Sequence, residues 1–247
     1  MIPVVAIESE FGIVEVLQRP QSGSLIYRQG GCYQSEADQE GVSLASYIHA
    51  LYGLVLQGEA RKVLMVGCGG GTLAAMLAKA GCDVTIVDIN PVSFAVARKY
   101  FKLPATVSCR VADGKYFLRA SRANYDAIVL DAYHGGRVPA HLESSEFFDL
   151  ARRRLTQAGS VFANVHLLDD QDRHADRIAA CMTHAWSDVR ILDSQGARDR
   201  NAIVMGGAVS RLQAPEMTIL PAIDSALIEQ ELHAMKFRPV RMEPPQC

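Results

Sequence analysis

The sequence predicts an α/β fold: a doubly wound, mostly parallel sheet with helices on both faces, preceded by a small antiparallel β unit. Three observations carry that expectation. From Val63 onward, short apolar runs alternate with amphipathic stretches at the length of strand–helix units. A glycine cluster, Gly67-Cys68-Gly69-Gly70-Gly71, joins the first apolar run to the first amphipathic one. The N-terminal segment instead shows brief apolar runs cut by Glu-Phe-Gly, Pro-Gln-Ser-Gly and Gln-Gly-Gly, which read as hairpin turns.

In chain order, Ile2 to Ile7, Ile13 to Leu17, Leu25 to Tyr27 and Cys32 to Gln34 are expected as antiparallel strands, making residues 1–40 a β-hairpin domain. A helix near Ser43 to Leu56 opens the main domain, 41–235. There, strand Val63–Gly67 leads to helix Thr72–Ala80, strand Val84–Asp88 to helix Pro91–Phe101, which has Pro in its first turn, and strand Val107–Ala112 to a helix ending near Ala120. Strand Ala127–Asp131 follows; Ser144 or Ser145 caps the helix EFFDLARRRL, and QAGS turns into strand Ser160–His166. A helix near Asp172–His184 and strands near Val189–Leu192 and Ala202–Met205 complete the pattern, and the proline-bearing tail, 236–247, is expected to be irregular.

Hydrophobic residues make up 49% of the 247 residues, charged ones 21%, and the net charge is -2, a balance that indicates neither disorder nor a nucleic-acid footprint. No apolar run reaches membrane-span length and the first residues lack a signal-peptide pattern, so a cytoplasmic protein without membrane contact is expected. The six cysteines show no metal-ligand spacing, and no metal is expected.

Ligands of such sheets bind beyond the carboxyl ends of the strands, so the strand-end residues carry the functional signal. The glycine cluster, with Gly67, Gly69 and Gly71, lets backbone approach a ligand and offers N–H groups at a helix start. Nicotinamide dinucleotide enzymes use a similar loop, but the third glycine of their pattern would fall at Thr72. Asp88 ends the second strand, where a carboxylate can accept both ribose hydroxyls of an adenosine. Asp113-Gly114, after the third strand, can receive the adenine amino group. The fourth strand runs into Leu130-Asp131-Ala132-Tyr133-His134-Gly135-Gly136, an active-site edge by position.

VLMVGCGGGTLAAML, VTIVDINP, VADGKYFL, the LDA strand end and PAHLESSEFFDLARRRLTQAG, taken in that order, resemble the spermidine synthases, the polyamine aminopropyltransferases. The upstream YRQGGCYQS and SYIHAL look like that family's hairpin and the helix after it, so the resemblance runs from about residue 10 to 206. It implies a Rossmann-like, methyltransferase-type fold, a homodimer, and an adenosine-sulfonium donor, either decarboxylated S-adenosylmethionine or S-adenosylmethionine, whose aminopropyl group passes to an amine. By motif position Gln34 would touch the nucleoside or its side chain, Asp88 the ribose, Asp113 the adenine and Asp131 the reacting end of the donor, under a lid from Ala132 to Leu142.

Two positions depart from the family. Gly70 stands where its members carry an Asp in the glycine loop, and His134 where they carry the second Asp of Asp-x-x-Asp. A diamine desolvated without carboxylate partners is costly, so putrescine binding is expected to be weakened. His134 is open to three readings: general base, substrate contact or exposed lid residue. Tyr133 either aligns an amine or packs under the lid. The loss of the loop acid also leaves a methyltransferase, or a non-catalytic nucleoside-binding relative, as alternatives. Blander readings suffice elsewhere: the Arg152-Arg153-Arg154 run complements a helix dipole, Cys68 fits a tight turn, and His166 is a structural histidine that could also line the pocket.

Overall fold

A computed structural model of the chain describes residues 1–241. Its N-terminal part is a four-stranded antiparallel meander of β1 (Ile2–Ile7), β2 (Val14–Gln18), β3 (Leu25–Gln29) and β4 (Cys32–Ala37). After α1 (Ser46–Gln57) the chain alternates through β5 (Lys62–Val66), α2 (Thr72–Lys79), β6 (Asp83–Asp88), α3 (Pro91–Tyr100), β7 (Ser108–Val111), α4 (Gly114–Ala120) and β8 (Tyr125–Leu130). A single 3-10 turn (Ala140–Leu142), α5 (Ser145–Arg154), β9 (Leu155–Leu167), α6 (His174–Met182), β10 (Val189–Asp193), β11 (Arg200–Gly207), α7 (Ser225–Ala234) and β12 (Lys236–Arg238) complete it. None of the described helices is long and apolar enough to cross a membrane.

The large sheet has the order β12-β10-β11-β9-β8-β5-β6-β7. The five strands from β9 to β7 are parallel, while β11, β10 and β12 add antiparallel. Both faces are covered. One carries α1, α2 and α7 over Val63, Met65, Val84 and Ile86, and the other carries α5 and α6 over Leu64, Ile128, Leu130 and Val161. The small sheet docks through Val14, Val16 and Tyr27 onto Val96 and Phe101, at and just beyond α3. The chain reverses its direction of growth between β5 and β8, which puts a crevice at their carboxyl ends.

Three expectations need correction. QAGS is not a turn: β9 begins at Leu155 and runs through it, with an irregular register opposite Tyr125 and Ala127 of β8. The C-terminal region contributes α7, whose few buried residues, Ile228 and Leu232, give little periodic signal. The tail expected to be irregular begins with strand β12, which pairs with β10; residues 242–247 lie outside the described residues. What holds β12 is a buried charge network. Arg238 donates to Asp193 at 2.7 Å and to Asp176 at 2.8 Å, and Arg200 donates to Asp193 at 2.7 Å. All four side chains are almost fully buried, so each charge depends on its partners.

Candidate functional site

At the switch point Gly67 follows β5 and lies against Asp131, just past the end of β8. A Cβ there would lie 2.2 Å from the Asp131 carbonyl oxygen, and φ is +102°, so both space and backbone demand glycine. The glycine loop continues over β4, where the Gly70 N–H donates to Ser35 Oγ at 3.0 Å. A Cβ on Gly70 would meet Phe101 and Ser35 at 3.1 Å, so an acid at this position needs both neighbours to give way. Gly71, in left-handed conformation, precedes the first turn of α2 and lines no part of the crevice.

The crevice has two lobes meeting at Gln34, Cys68, Gly69, Asp131 and Tyr133. The first, about 280 Å³, is a carboxylate lobe that collects Gly67, Asp88, Asp113, Gly114 and His134 between apolar walls from Ile89, Ala112 and Leu142. Asp88 Oδ2 accepts the Cys68 N–H and Oδ1 the Asn90 N–H, each at 2.7 Å, so the carboxylate fixes the glycine loop while each oxygen keeps a free lone pair. Burial nevertheless raises its pKa, against the pull of those amides. Asp113 caps α4 by accepting the Tyr116 N–H at 2.9 Å, and its other oxygen lies 2.6 Å from Nε2 of His141, in the 3-10 turn. Burial pushes its pKa up, but these partners more than offset it and the carboxyl is held below its ordinary value. The Cys68 thiol, driven well up by burial, is no nucleophile.

The second, an amide lobe of about 260 Å³, is lined by Tyr47, Asp131, Asn164, His166 and Asn201, closed by Ser35 and Tyr33 of the small sheet. Asp131 Oδ1 accepts from Asn164 Nδ2 at 2.8 Å, and Asn164 Oδ1 in turn accepts from Asn201 Nδ2 at 2.9 Å. Tyr47 lines the same lobe and favours the charged form of Asp131. Desolvation is the larger influence, and the Asp131 pKa is raised to about 6 despite Asn164 and Tyr47. Tyr133 is locked by the backbone of β9: its hydroxyl donates to the Asn164 carbonyl and accepts the His166 N–H, both at 3.0 Å, with its pKa far above the usual phenol value through burial. Gln34 reaches the Tyr133 carbonyl at 3.5 Å.

His134 lies apart from this cluster. It opens a two-residue hairpin turn closed by His134 N–H to Arg137 carbonyl (2.8 Å), with Gly135 and Gly136 both at positive φ as a primed turn requires. The residue is exposed and lines the mouth of the carboxylate lobe, and it is not among the residues lining the amide lobe. Thus Asp88, Asp113, Asp131, Tyr133, Gln34, Gly67, Gly69 and Gly114 share one crevice and Gly71 does not, while sequence reasoning missed Asn164, Asn201 and His141. Their only signal is positional, since Asn164 and Asn201 stand at adjacent strand ends and β11 pairs Asn201 with His166.

A doubly wound sheet whose first strand end, glycine loop and switch-point carboxylates surround one crevice defines an α/β fold of the methyltransferase type, and residues 63–159 match the family model described as a methyltransferase domain. The chain is 32% identical over 133 residues to a probable polyamine aminopropyl transferase of Bifidobacterium longum; the match covers 53% of this chain and 30% of that protein, so the chain spans less than a third of that relative. By fold it is similar to a probable spermidine synthase from Corynebacterium glutamicum, with TM-score 0.78, 19% identity and coverage of 96% and 90% of the two chains. A spermidine synthase in complex with the transition state analogue AdoDATO superimposes with TM-score 0.69 at 17% identity, covering 94% and 89%. The fold is that of the spermidine synthases, and in sequence about half of the chain is similar to polyamine aminopropyltransferases.

Proposed function

We propose that this chain is a transferase that binds decarboxylated S-adenosylmethionine in the carboxylate lobe and passes its aminopropyl group to an amine held in the amide lobe. The observation that carries the reading is Asp131, poised between the lobes with a pKa near 6. The crevice residues fit such a donor. Spare lone pairs on Asp88 suit ribose hydroxyls, the walls of Ile89, Ala112 and Leu142 suit a flat base, and the free lone pair on Asp113 suits its amino group. The donor supplies an electrophilic methylene carbon beside a sulfonium. Asp131 accepts a proton from the acceptor ammonium, Asn164 holds the carboxylate in line, and the freed nitrogen bonds the methylene carbon. The C–S electron pair stays on sulfur, and a neutral thioether leaves. Tyr133 is a positioning residue that fixes the path from β8 to β9 beneath the reacting groups.

Methyl transfer from S-adenosylmethionine is the second reading, favoured by the methyltransferase-domain match and by Gly70, which sets no loop carboxylate against a donor carboxylate. Calorimetric binding of the two donors side by side decides. Tighter binding of the decarboxylated form is expected, and tighter binding of S-adenosylmethionine would transfer the assignment to methyl acceptors. The homodimer and the cytosolic setting belong to this proposal, the former tested by light scattering of the purified protein.

A further inference from the structure

Given the transfer reading above, we infer that the acceptor is a monoamine carrying a neutral hydroxyl-type group at its far end, with His166 and Asn201 as the specificity-determining residues. The argument starts from the lining of the amide lobe. Among the described residues, Asp131 is the single carboxylate lining it. Its other polar side chains are uncharged or an imidazole: the amides of Gln34, Asn164 and Asn201, the hydroxyl of Ser35 and those of three tyrosines, the thiols of Cys32 and Cys68, and His166.

Two further acids are each paired with a histidine, one of them His166. Asp199 Oδ1 sits 3.8 Å from His166 Nε2 with its side chain largely exposed, and Glu143 Oε1 sits 2.7 Å from His174 Nε2; neither acid lines the lobe. A dication entering this lobe pairs one ammonium with Asp131 and leaves the second facing amides and an imidazole. Hydrogen bonds to amides do not offset the desolvation of a full charge, whereas they do satisfy a hydroxyl. Asn201 suits that task. Its Nδ2 is committed to Asn164, so its Oδ1 remains as an acceptor, beside the His166 ring that β11–β9 pairing places opposite it. A hydroxyl can donate to the one and accept from or donate to the other.

The test is an isosteric pair, 1,4-diaminobutane and 4-amino-1-butanol, offered to the full chain with decarboxylated S-adenosylmethionine while the released thioether nucleoside is quantified. The amino alcohol is expected to show kcat/KM at least about tenfold above the diamine. H166D supplies the second carboxylate and is expected to move that ratio at least tenfold toward the diamine, whereas H166Q, should the acidic variant fail to fold, is expected to keep the amino-alcohol preference. Release with the diamine favoured in the wild type, a ratio unmoved in folded H166D, or a preference lost in H166Q overturns the inference and leaves transfer intact. No release with either amine overturns the transfer reading itself, and this inference with it.

Discussion

The two lobes of the crevice are built in contrasting ways. The carboxylate lobe consists of strand ends and the turns that follow them: β5 with the glycine loop, β6 with Asp88, β7 with Asp113. Its acids also hold backbone, since Asp88 fixes the glycine loop and Asp113 starts α4. The amide lobe is assembled from distant pieces, a helix residue (Tyr47), two antiparallel strands (Asn164, Asn201) and the small N-terminal sheet. Binding on the first side is therefore tied to the fold, whereas the second side can change its chemistry with little backbone consequence.

Asp131→Asn breaks the comparison hardest, because Asp131 belongs to both lobes. Turnover is expected to fall roughly 10²–10⁴-fold, the usual worth of a positioned base, with nucleoside affinity nearly unchanged by calorimetry. Stability should move the other way. Burial raises the folded-state pKa from 3.8 to about 6, so the stability this group contributes is present below pH 4 and is lost as pH rises through about 6. The neutral Asn escapes that loss, and the variant is expected to be more stable than wild type by about 1–3 kcal/mol at pH 8 and to lose the advantage near pH 4, as read by denaturant melts.

Asp88→Ala should weaken nucleoside binding by roughly 10–100-fold, the loss of charge-assisted bonds to two hydroxyls, and should loosen the glycine loop as well. Retained affinity would remove the carboxylate lobe from donor binding. Tyr133→Phe deletes a hydroxyl that bridges two β9 backbone groups and is expected to cost about 1–2 kcal/mol in thermal or chemical unfolding, with a smaller loss of rate than Asp131→Asn. The smallest effect belongs to His134→Asp. At an exposed turn on the mouth of the carboxylate lobe, it is expected to shift stability by no more than about 0.5 kcal/mol and to add no diamine turnover, and a gain would move His134 into the acceptor side.

The carboxylate lobe was legible in the sequence because its logic is local. A strand, a glycine loop and a carboxylate at the next strand end lie within about 20 residues, and Asp88, Asp113 and Asp131 follow one after another in the chain. The amide lobe was not, because Asn164 and Asn201 are 37 residues apart and meet only through the β9–β11 register. His141 on Asp113 was equally hidden, as the contact depends on how the segment after β8 folds back over α4. Strand β12 escaped because Lys-Phe-Arg is too short for alternation, and its place depends on Arg238 reaching two buried aspartates. Gly70 shows the reverse case: the missing acid is visible at once, but only the fold shows that Phe101 and Ser35 crowd the space where its side chain would begin.

The most direct test of the central claim is the pH dependence of kcat/KM for thioether nucleoside release from decarboxylated S-adenosylmethionine, comparing wild type with Asp131→Asn. The account expects activity to fall as pH drops through about 6, following protonation of Asp131, and this limb to vanish along with most of the activity in the variant. An undiminished rate in Asp131→Asn, or a wild-type profile flat from pH 5 to 8, would contradict it.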